Sequence, residues 1–332
     1  MSKKPYHVLN SQQFDRRFLD YLFELTDTIR RYDKSKDGLL YLKSLLPHNR
    51  VMLYFTQPST RTFLSFQSAC YILGMQPSEI RDSSTSSERK GESIEDSLRT
   101  FSSYVDLIIM RSPISGLADR ISKLIDETDR PVPIINAGSG PDQHPTQALL
   151  DIYTLYRSFR KQGDEIKNKT ICMVGDLKRG RTIRSLSRLL ANYENIKILF
   201  VSPKEFRIED DLRQDLLLHK NISFQETDKF TDAIAEADAI YMTRVQDEYD
   251  LSAGESERVD SSKFHLEPKH LEIIKKNCAI LHPMPRRAEI DPVIDKDPRA
   301  LYWRQERNGM WTRVALITKL MGVDHHIVLP SL

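Results

Sequence analysis

No stretch of this chain approaches the roughly 18 consecutive apolar residues that a membrane-spanning helix requires. Its first residues, MSKKPYHVLNSQQFDRRF, hold no apolar run that could serve as a signal peptide. A cytoplasmic protein with no membrane partner is therefore expected. Neither sign of charge is in surplus: 49 basic residues against 47 acidic ones leave a formal net charge of +2, which gives no electrostatic reason to expect nucleic acid as a partner. Any anion site must be built locally. Cysteine is scarce, and Cys70, Cys172 and Cys278 lie far apart among apolar neighbours. An odd count at such spacing supplies neither a disulfide framework nor a metal-ligand cluster, so buried thiols and no metal site are expected. The G-x-G-x-x-G fingerprint is missing as well, which argues against a dinucleotide and leaves no cofactor expected. Internal repeats, low-complexity tracts and long linkers are also lacking.

What the chain does have is length and alternation. Its 332 residues exceed the roughly 250–300 at which single cores stop growing, which favours two domains. Short β-branched or apolar runs recur with amphipathic stretches between them, the pattern of βαβ units and a parallel sheet. Strands are expected in RVMLYFT (50–56), VDLIIMR (105–111), VPIINAG (132–138), KTICMVGD (169–176), KILFVSP (197–203), AIYMT (239–243) and AILHP (279–283). Helices are expected in TFLSFQSACYIL, SIEDSLRTFSSY, GLADRISKLIDET, PTQALLDIYTLYRSF, RTIRSLSRLLANY and PKHLEIIKK. Two sets of about four strands, divided near PTQALLDIYTLYRSF, predict an α/β protein of two similar domains, each a mainly parallel sheet flanked by helices. The boundaries expected are 1–148 and 149–305, with a helix over about 306–332 folding back onto the first domain. The longest irregular segment, 245–267, is long enough to point to function or mobility.

In open α/β sheets ligands bind beyond the carboxyl ends of the strands, so the loops after the strands hold the candidates. The first strand runs into Gln57-Pro58-Ser59-Thr60-Arg61-Thr62 and then a helix. Free N–H groups, three hydroxyls and a guanidinium would converge there on a phosphate. Plain capping by Ser59 or Thr60, with Arg61 in water, explains the same string. Arg111 ends the second expected strand, where it is either a ligand group or a surface charge. In Gln143-His144-Pro145-Thr146-Gln147, Pro145 suits the first position of a helix, which places His144 at its cap and Gln147 one turn in. The positive end of the helix dipole favours the neutral imidazole, which can still donate one hydrogen bond; a histidine serving only as a cap is the other reading. Arg181 begins another helix after GDLKRG and suits a carboxylate. Arg244 and Gln246 alternate to one side of an extended chain, offering charge plus amide to a second carboxylate.

Taken together and in order, the strings PSTRT, RKGE, MRSP, HPTQALLD, GDLKRGRT, YMTRVQ, LHPMPR and the NGM-containing final helix resemble the aspartate carbamoyltransferase family over essentially the whole chain. The resemblance implies two α/β domains, the first binding carbamoyl phosphate and the second aspartate, in a homotrimer that makes carbamoyl aspartate for pyrimidine biosynthesis. It implies that Ser59, Thr60, Arg61 and Thr62 hold the phosphate, that Thr62, Arg111 and His144 contact the carbamoyl carbonyl, and that Gln147 takes the carbamoyl amino group. Ser86 and Lys90, in TSSERKGES, match loop residues that the family inserts into a neighbouring subunit's site, Lys90 serving both substrates. Arg181, Arg244 and Gln246 match the aspartate-binding residues, while Pro283 and Met284 supply backbone carbonyls near the attacking amine. Met284 stands where the family usually has leucine, a mild departure because the backbone acts. Two others are larger: Gln57 replaces a glutamate and Tyr249 an arginine of a set that closes the family's domains, so closure is expected to rest on other contacts, drawn from the segment after Gln246. A carbamoyltransferase for another amino acid and a non-catalytic member of the fold are the alternatives. Whether a regulatory chain or another pathway enzyme joins the trimer is left open by the sequence.

Overall fold

The computed structural model describes residues 5–82, 91–140, 143–250, 254 and 256–327. Chain contacts divide it into two compact units, Met1–Thr146 with Gly309–Leu332, and Gln147–Asn308.

The first unit opens with α1 (Arg16–Tyr32) and α2 (Lys36–Lys43), two helices that the reading of strands and loops above did not include. Both start on a capping side chain: Asp15 accepts from the Phe18 N–H, and Ser35 from the Gly38 N–H. In α1, Leu19, Leu22, Phe23, Thr26 and Ile29 fall on one buried face, the spacing an amphipathic helix requires. Then come β1 (Arg50–Phe55), α3 (Thr60–Ile72), β2 (Gln76–Ile80), α4 (Ile94–Ser102), β3 (Leu107–Ser112), α5 (Leu117–Asp126) and β4 (Ile134–Ser139). The sheet is parallel throughout in the order β2-β1-β3-β4. β3 and β4 are buried along their full length, as strands covered on both faces must be. β2, with sequence QPSEI, is an edge strand and mostly exposed, which is why no apolar run announced it. Met52, Tyr54, Ile108, Met110 and Ile134 pack under Leu117, Ile121 and Ile125 of α5 in one core.

The chain enters the second unit in α6 (Pro145–Lys161) and continues through β5 (Thr170–Val174), α7 (Arg181–Leu190), β6 (Ile196–Val201), α8 (Asp210–Leu217), β7 (Ile222–Thr227), α9 (Phe230–Glu236), β8 (Ala239–Met242) and β9 (Ala279–Leu281). This sheet is also parallel, in the order β7-β6-β5-β8-β9. β7 (ISFQET) is likewise an edge strand, half-buried and without an apolar run. The expected helix in PKHLEIIKK is corrected to a short 3₁₀ turn, Pro268–Glu272. The cause is competition for its backbone carbonyls: the Arg299 guanidinium takes those of Leu271, Ile274 and Lys275 at 2.9, 3.2 and 3.4 Å. A helix running on to Lys276 would need the Leu271 carbonyl for the Lys275 N–H, whereas the carbonyls of Ile274 and Lys275 would lie in its last turn, open to an outside donor. The described residues of the 245–267 segment include the 3₁₀ turns Asp247–Tyr249, Ser256–Arg258 and Ser262–Phe264.

The last helix, α10 (Tyr302–Leu320), starts in the second unit and ends in the first. There its buried Arg313 donates to Ser65 Oγ of α3 at 2.6 Å and stacks 4.8 Å from the Phe66 ring centre. All three cysteines are buried thiols, and burial pushes Cys70 and Cys278 up to about 12 and Cys172 well above its usual range. Among the described residues no helix is long and apolar enough to cross a membrane.

Candidate active site

Strand order reverses once in each sheet, and a crevice at the carboxyl ends of the strands forms at such a reversal. In the first unit it falls between β1 and β3, where Phe55 is paired with Arg111. The Thr56 and Gln57 N–H groups both donate to the Arg111 carbonyl, at 2.9 and 3.4 Å, which steers the chain from β1 into α3. Ser59 is the N-cap of α3 with extended backbone, but its side chain makes no capping hydrogen bond. The plain-capping reading of Ser59 therefore does not hold. Thr60, Arg61 and Thr62 form the first turn, with Thr62 buried and Arg61 exposed. That end of α3 offers hydroxyls, N–H groups and a guanidinium to an anion.

Arg111 is buried at the end of β3; its Nη1 donates to the Ala137 carbonyl at 3.1 Å and lies 3.5 Å from Nε2 of buried His144. The arrangement requires a glycine at 138. A Cβ there would stand 2.7 Å from Arg111 Nη1 and 3.6 Å from His144 Cδ2, and the backbone has φ +125°, closed to L side chains. Asn136 holds this conformation: its Oδ1 accepts from the Gly138 N–H at 2.8 Å, while its Nδ2 donates to Leu9 O at 2.9 Å. His144 directly precedes α6, whose first residue is Pro145, and Gln147 is in the same first turn. Gln147 is held by an acid one turn on, donating from Nε2 to Asp151 Oδ1 at 2.9 Å.

In the second unit the reversal lies between β5 and β8. Gly175 follows β5 with φ +114°, and a Cβ on it would meet the Thr243 carbonyl at 2.2 Å, so only glycine lets the two loops approach. Asp176, fully buried, ties them together: it accepts from the Arg179 N–H at 3.1 Å and the Gln246 N–H at 3.0 Å. Burial pushes its carboxyl up, against these two amides and the Arg179 guanidinium. Arg179 in turn binds Asp250 at 2.8 Å and Ser256 Oγ at 2.7 Å, drawing the segment after Gln246 back to the sheet.

Arg181 begins α7, and burial lowers its pKa, with Tyr249 and Glu248 nearby opposing that shift and Arg244 reinforcing it. Arg244 already presents both guanidinium nitrogens to the Glu248 carboxylate, one at 2.7 Å, and donates to Val245 O at 2.8 Å. The fork that would receive a ligand carboxylate thus holds one of the protein's own. After β9, His282 Nδ1 accepts from the Met284 N–H at 2.7 Å, and its Nε2 lies 2.7 Å from Glu289. Burial lowers the His282 pKa; burial alone would raise that of Glu289, but the hydrogen bond and charge of His282 together with backbone N–H donors bring the carboxyl below its usual value. Both directions describe a neutral ring protonated on Nε2, leaving Nδ1 as the acceptor that shapes the turn at Pro283 and Met284.

Of the candidates, Ser86 and Lys90 lie outside the described residues. Arg111 and His144 are brought together in the first unit, and Arg181 and Arg244 in the second. Gly138, Asp176 and Asp151 were missed. A signal existed for each: a glycine past a strand end, an acid in a strand-to-helix loop, and an acid four residues after Gln147 on one helix face.

The family described as aspartate/ornithine carbamoyltransferase matches in two parts, its carbamoyl-P binding domain over residues 6–157 and its Asp/Orn binding domain over residues 167–320. The aspartate carbamoyltransferase catalytic subunit of Finegoldia magna is 43% identical over 320 residues, covering 96% of this chain and 99% of that protein. Among solved structures, aspartate transcarbamoylase of Trypanosoma cruzi in complex with carbamoyl phosphate and aspartate superposes with TM-score 0.85 at 30% identity, over 95% of this chain and 96% of that one. The catalytic subunit of M. Jannaschii aspartate transcarbamoylase gives TM-score 0.79 at 37% identity, over 95% and 98% of the two chains.

Two outcomes follow from this geometry. Gly138→Ala should destabilise the protein by about 1–3 kcal/mol through backbone strain and displace Arg111; a melting temperature equal to that of the wild type would contradict it. The second concerns Asp151, whose carboxyl is pushed up to about 7 by burial, against hydrogen bonds from Tyr241, Gln305 and Gln147 and with Glu306 adding to the rise. An unfolded aspartate titrates near ~3.9. Between those two values the folded state keeps a proton that the unfolded state has lost, so the contribution of this group falls as pH rises and stays low above pH ~7. Asp151→Asn cannot ionise, so its stability relative to the wild type should increase from about pH 5 to about pH 8. Urea unfolding at the two pH values measures the difference, and a constant one would show that Asp151 does not titrate there.

Proposed function

The chain belongs to the aspartate/ornithine carbamoyltransferase family, and from that premise we infer that it transfers the carbamoyl group of carbamoyl phosphate to the amine of L-aspartate. The products are carbamoyl aspartate and phosphate, a step of pyrimidine biosynthesis. The observation that carries aspartate over ornithine is the pairing of Arg181 with Arg244, two guanidiniums in electrostatic reach of one another. Arg244 is already paired with Glu248, so a ligand with two carboxylates would take the place of that acid and span both guanidiniums, whereas a second ammonium would meet positive charge.

The residue roles form part of the same proposal. Ser59, Thr60, Arg61 and Thr62 receive the phosphate of carbamoyl phosphate at the start of α3. Thr62, Arg111 and a neutral His144 donate to the carbamoyl oxygen, and Gln147 accepts from the carbamoyl amino group. Arg181, Arg244 and Gln246 hold aspartate, and the backbone carbonyls of Pro283 and Met284 face its amine. As that amine attacks the carbamoyl carbon, negative charge grows first on the carbamoyl oxygen and then on the departing phosphate. Donors fixed beforehand stabilise both without reorganising. The phosphate oxygen takes the amine proton, so no protein base is required. Holding two substrates in register supplies much of the remaining acceleration. Ser86 and Lys90 complete the site of a neighbouring copy in a homotrimer, and the enzyme works in the cytoplasm.

Assays with carbamoyl phosphate and a panel of amines should give turnover with L-aspartate and none with ornithine; the reverse pattern would sink the assignment. In the same assay His144→Ala should lower kcat by about 10²–10³-fold, and Arg244→Ala should raise the KM for aspartate while sparing that for carbamoyl phosphate. Light scattering should return a trimer for the isolated chain, and a stable active monomer would refute the shared site.

A further inference from the structure

A buried polar network in the second unit converges on one carboxylate. Asp151 Oδ1 accepts from Gln147 Nε2 at 2.9 Å and from Gln305 Nε2 at 2.7 Å, while Oδ2 accepts from the Tyr241 hydroxyl at 2.6 Å. Asp151, Tyr241 and Gln305 are fully or almost fully excluded from solvent, and Gln147 is buried. Gln305 spends its remaining acceptor on the backbone: its Oε1 takes the His282 N–H at 3.0 Å. From His282 the chain of bonds continues to the Met284 N–H at 2.7 Å.

We propose that Asp151 is a positioning residue for the carbamoyl group: it fixes which end of the Gln147 carboxamide faces the ligand. The inference rests on the reading of Gln147 given above as the partner of the carbamoyl amino group. An amide side chain has a donor end and an acceptor end, and a half-turn about its last bond exchanges them. With Nε2 committed to Asp151 Oδ1, Oε1 is the end left to accept. The half-turn would set Oε1 against a carboxylate oxygen, acceptor against acceptor, between two buried side chains. A fixed acceptor selects an –NH₂ group over a methyl group of similar size, so the arrangement discriminates carbamoyl phosphate from acetyl phosphate.

The requirement is for an acceptor at Oδ1, and charge is secondary. Asparagine can keep its carbonyl oxygen in that position and turn its –NH₂ towards Tyr241, whose hydroxyl can accept. Leucine keeps the branched shape, with bulkier methyl groups, and has no acceptor.

The test compares kcat/KM for carbamoyl phosphate with the inhibition constants of acetyl phosphate and inorganic phosphate. Asp151→Leu should lower kcat/KM about 10- to 100-fold, the loss expected when a buried donor goes unmet, and leave both inhibition constants within about twofold. Asp151→Asn should restore most of it. Added to Gln147→Ala, Asp151→Leu should have little further effect, since two residues acting through one contact are not additive. Asp151→Ser, too short to reach Gln147, carries the same expectation as leucine should the leucine variant not fold. Equal losses for all three phosphate ligands, or full effects of both substitutions in the double variant, would overturn the role of Asp151. If instead Gln147→Ala left the preference for carbamoyl over acetyl phosphate intact, the reading of Gln147 itself would fall.

Discussion

Parallel pairing is the constraint on which everything else in this molecule depends. When all strands of a sheet run the same way, their carboxyl ends share one edge, and the loops leaving that edge are the only ones that can gather round a ligand there. Each sheet here reverses its strand order once, between β1 and β3 and between β5 and β8. Where the order reverses, the two connections leave in opposite directions and open a space. Two glycines mark how tightly the loops then approach. Gly175 lies against the Thr243 carbonyl and Gly138 against the Arg111 guanidinium, each with a φ that only glycine adopts readily.

Charge is distributed to suit. The chain is almost neutral as a whole, yet Arg111 and Asp176 are buried and Arg181 is pushed down by desolvation. Burying an ion is unfavourable unless a counter-charge or hydrogen bonds replace the lost water. Arg179 has Asp250, and Arg244 has Glu248. A ligand carboxylate reaching Arg244 therefore exchanges one ion pair for another. The gain from that contact alone is small, and selectivity must come from how many donors meet the whole ligand in fixed positions.

Much of this was legible in the sequence, and the parts that were not have a common cause. Buried central strands such as LIIMRS and TICMV announce themselves by apolar content, and loops after them are where polar strings such as PSTRT stand out. Two of the edge strands carry no such signature: QPSEI and ISFQET have their side chains partly in water. The helix expected at PKHLEIIKK has the right periodicity and is undone by Arg299, more than twenty residues away. The same holds for the site. Arg111, His144, Arg181 and Arg244 are visible because their chemistry is unusual at a strand end. Asp176 and Asp151 look ordinary until partners 70 and 154 residues away are seen to donate to them.

The Asp151 network also shows how a buried acid can be reliable while its protonation changes. Burial pushes the carboxyl up to about 7, so a proton on it is held more firmly in the folded state than on a free aspartate. The two amide donors share Oδ1, and the Tyr241 hydroxyl faces Oδ2. A proton taken up at Oδ2 needs nothing more than a turn of the Tyr241 hydroxyl from donor to acceptor, and Oδ1 still receives both amides. Had the amides been split between the two oxygens, each protonation would have broken one of them. Placing both on one oxygen separates the hold on Gln147 from the titration of the group that provides it.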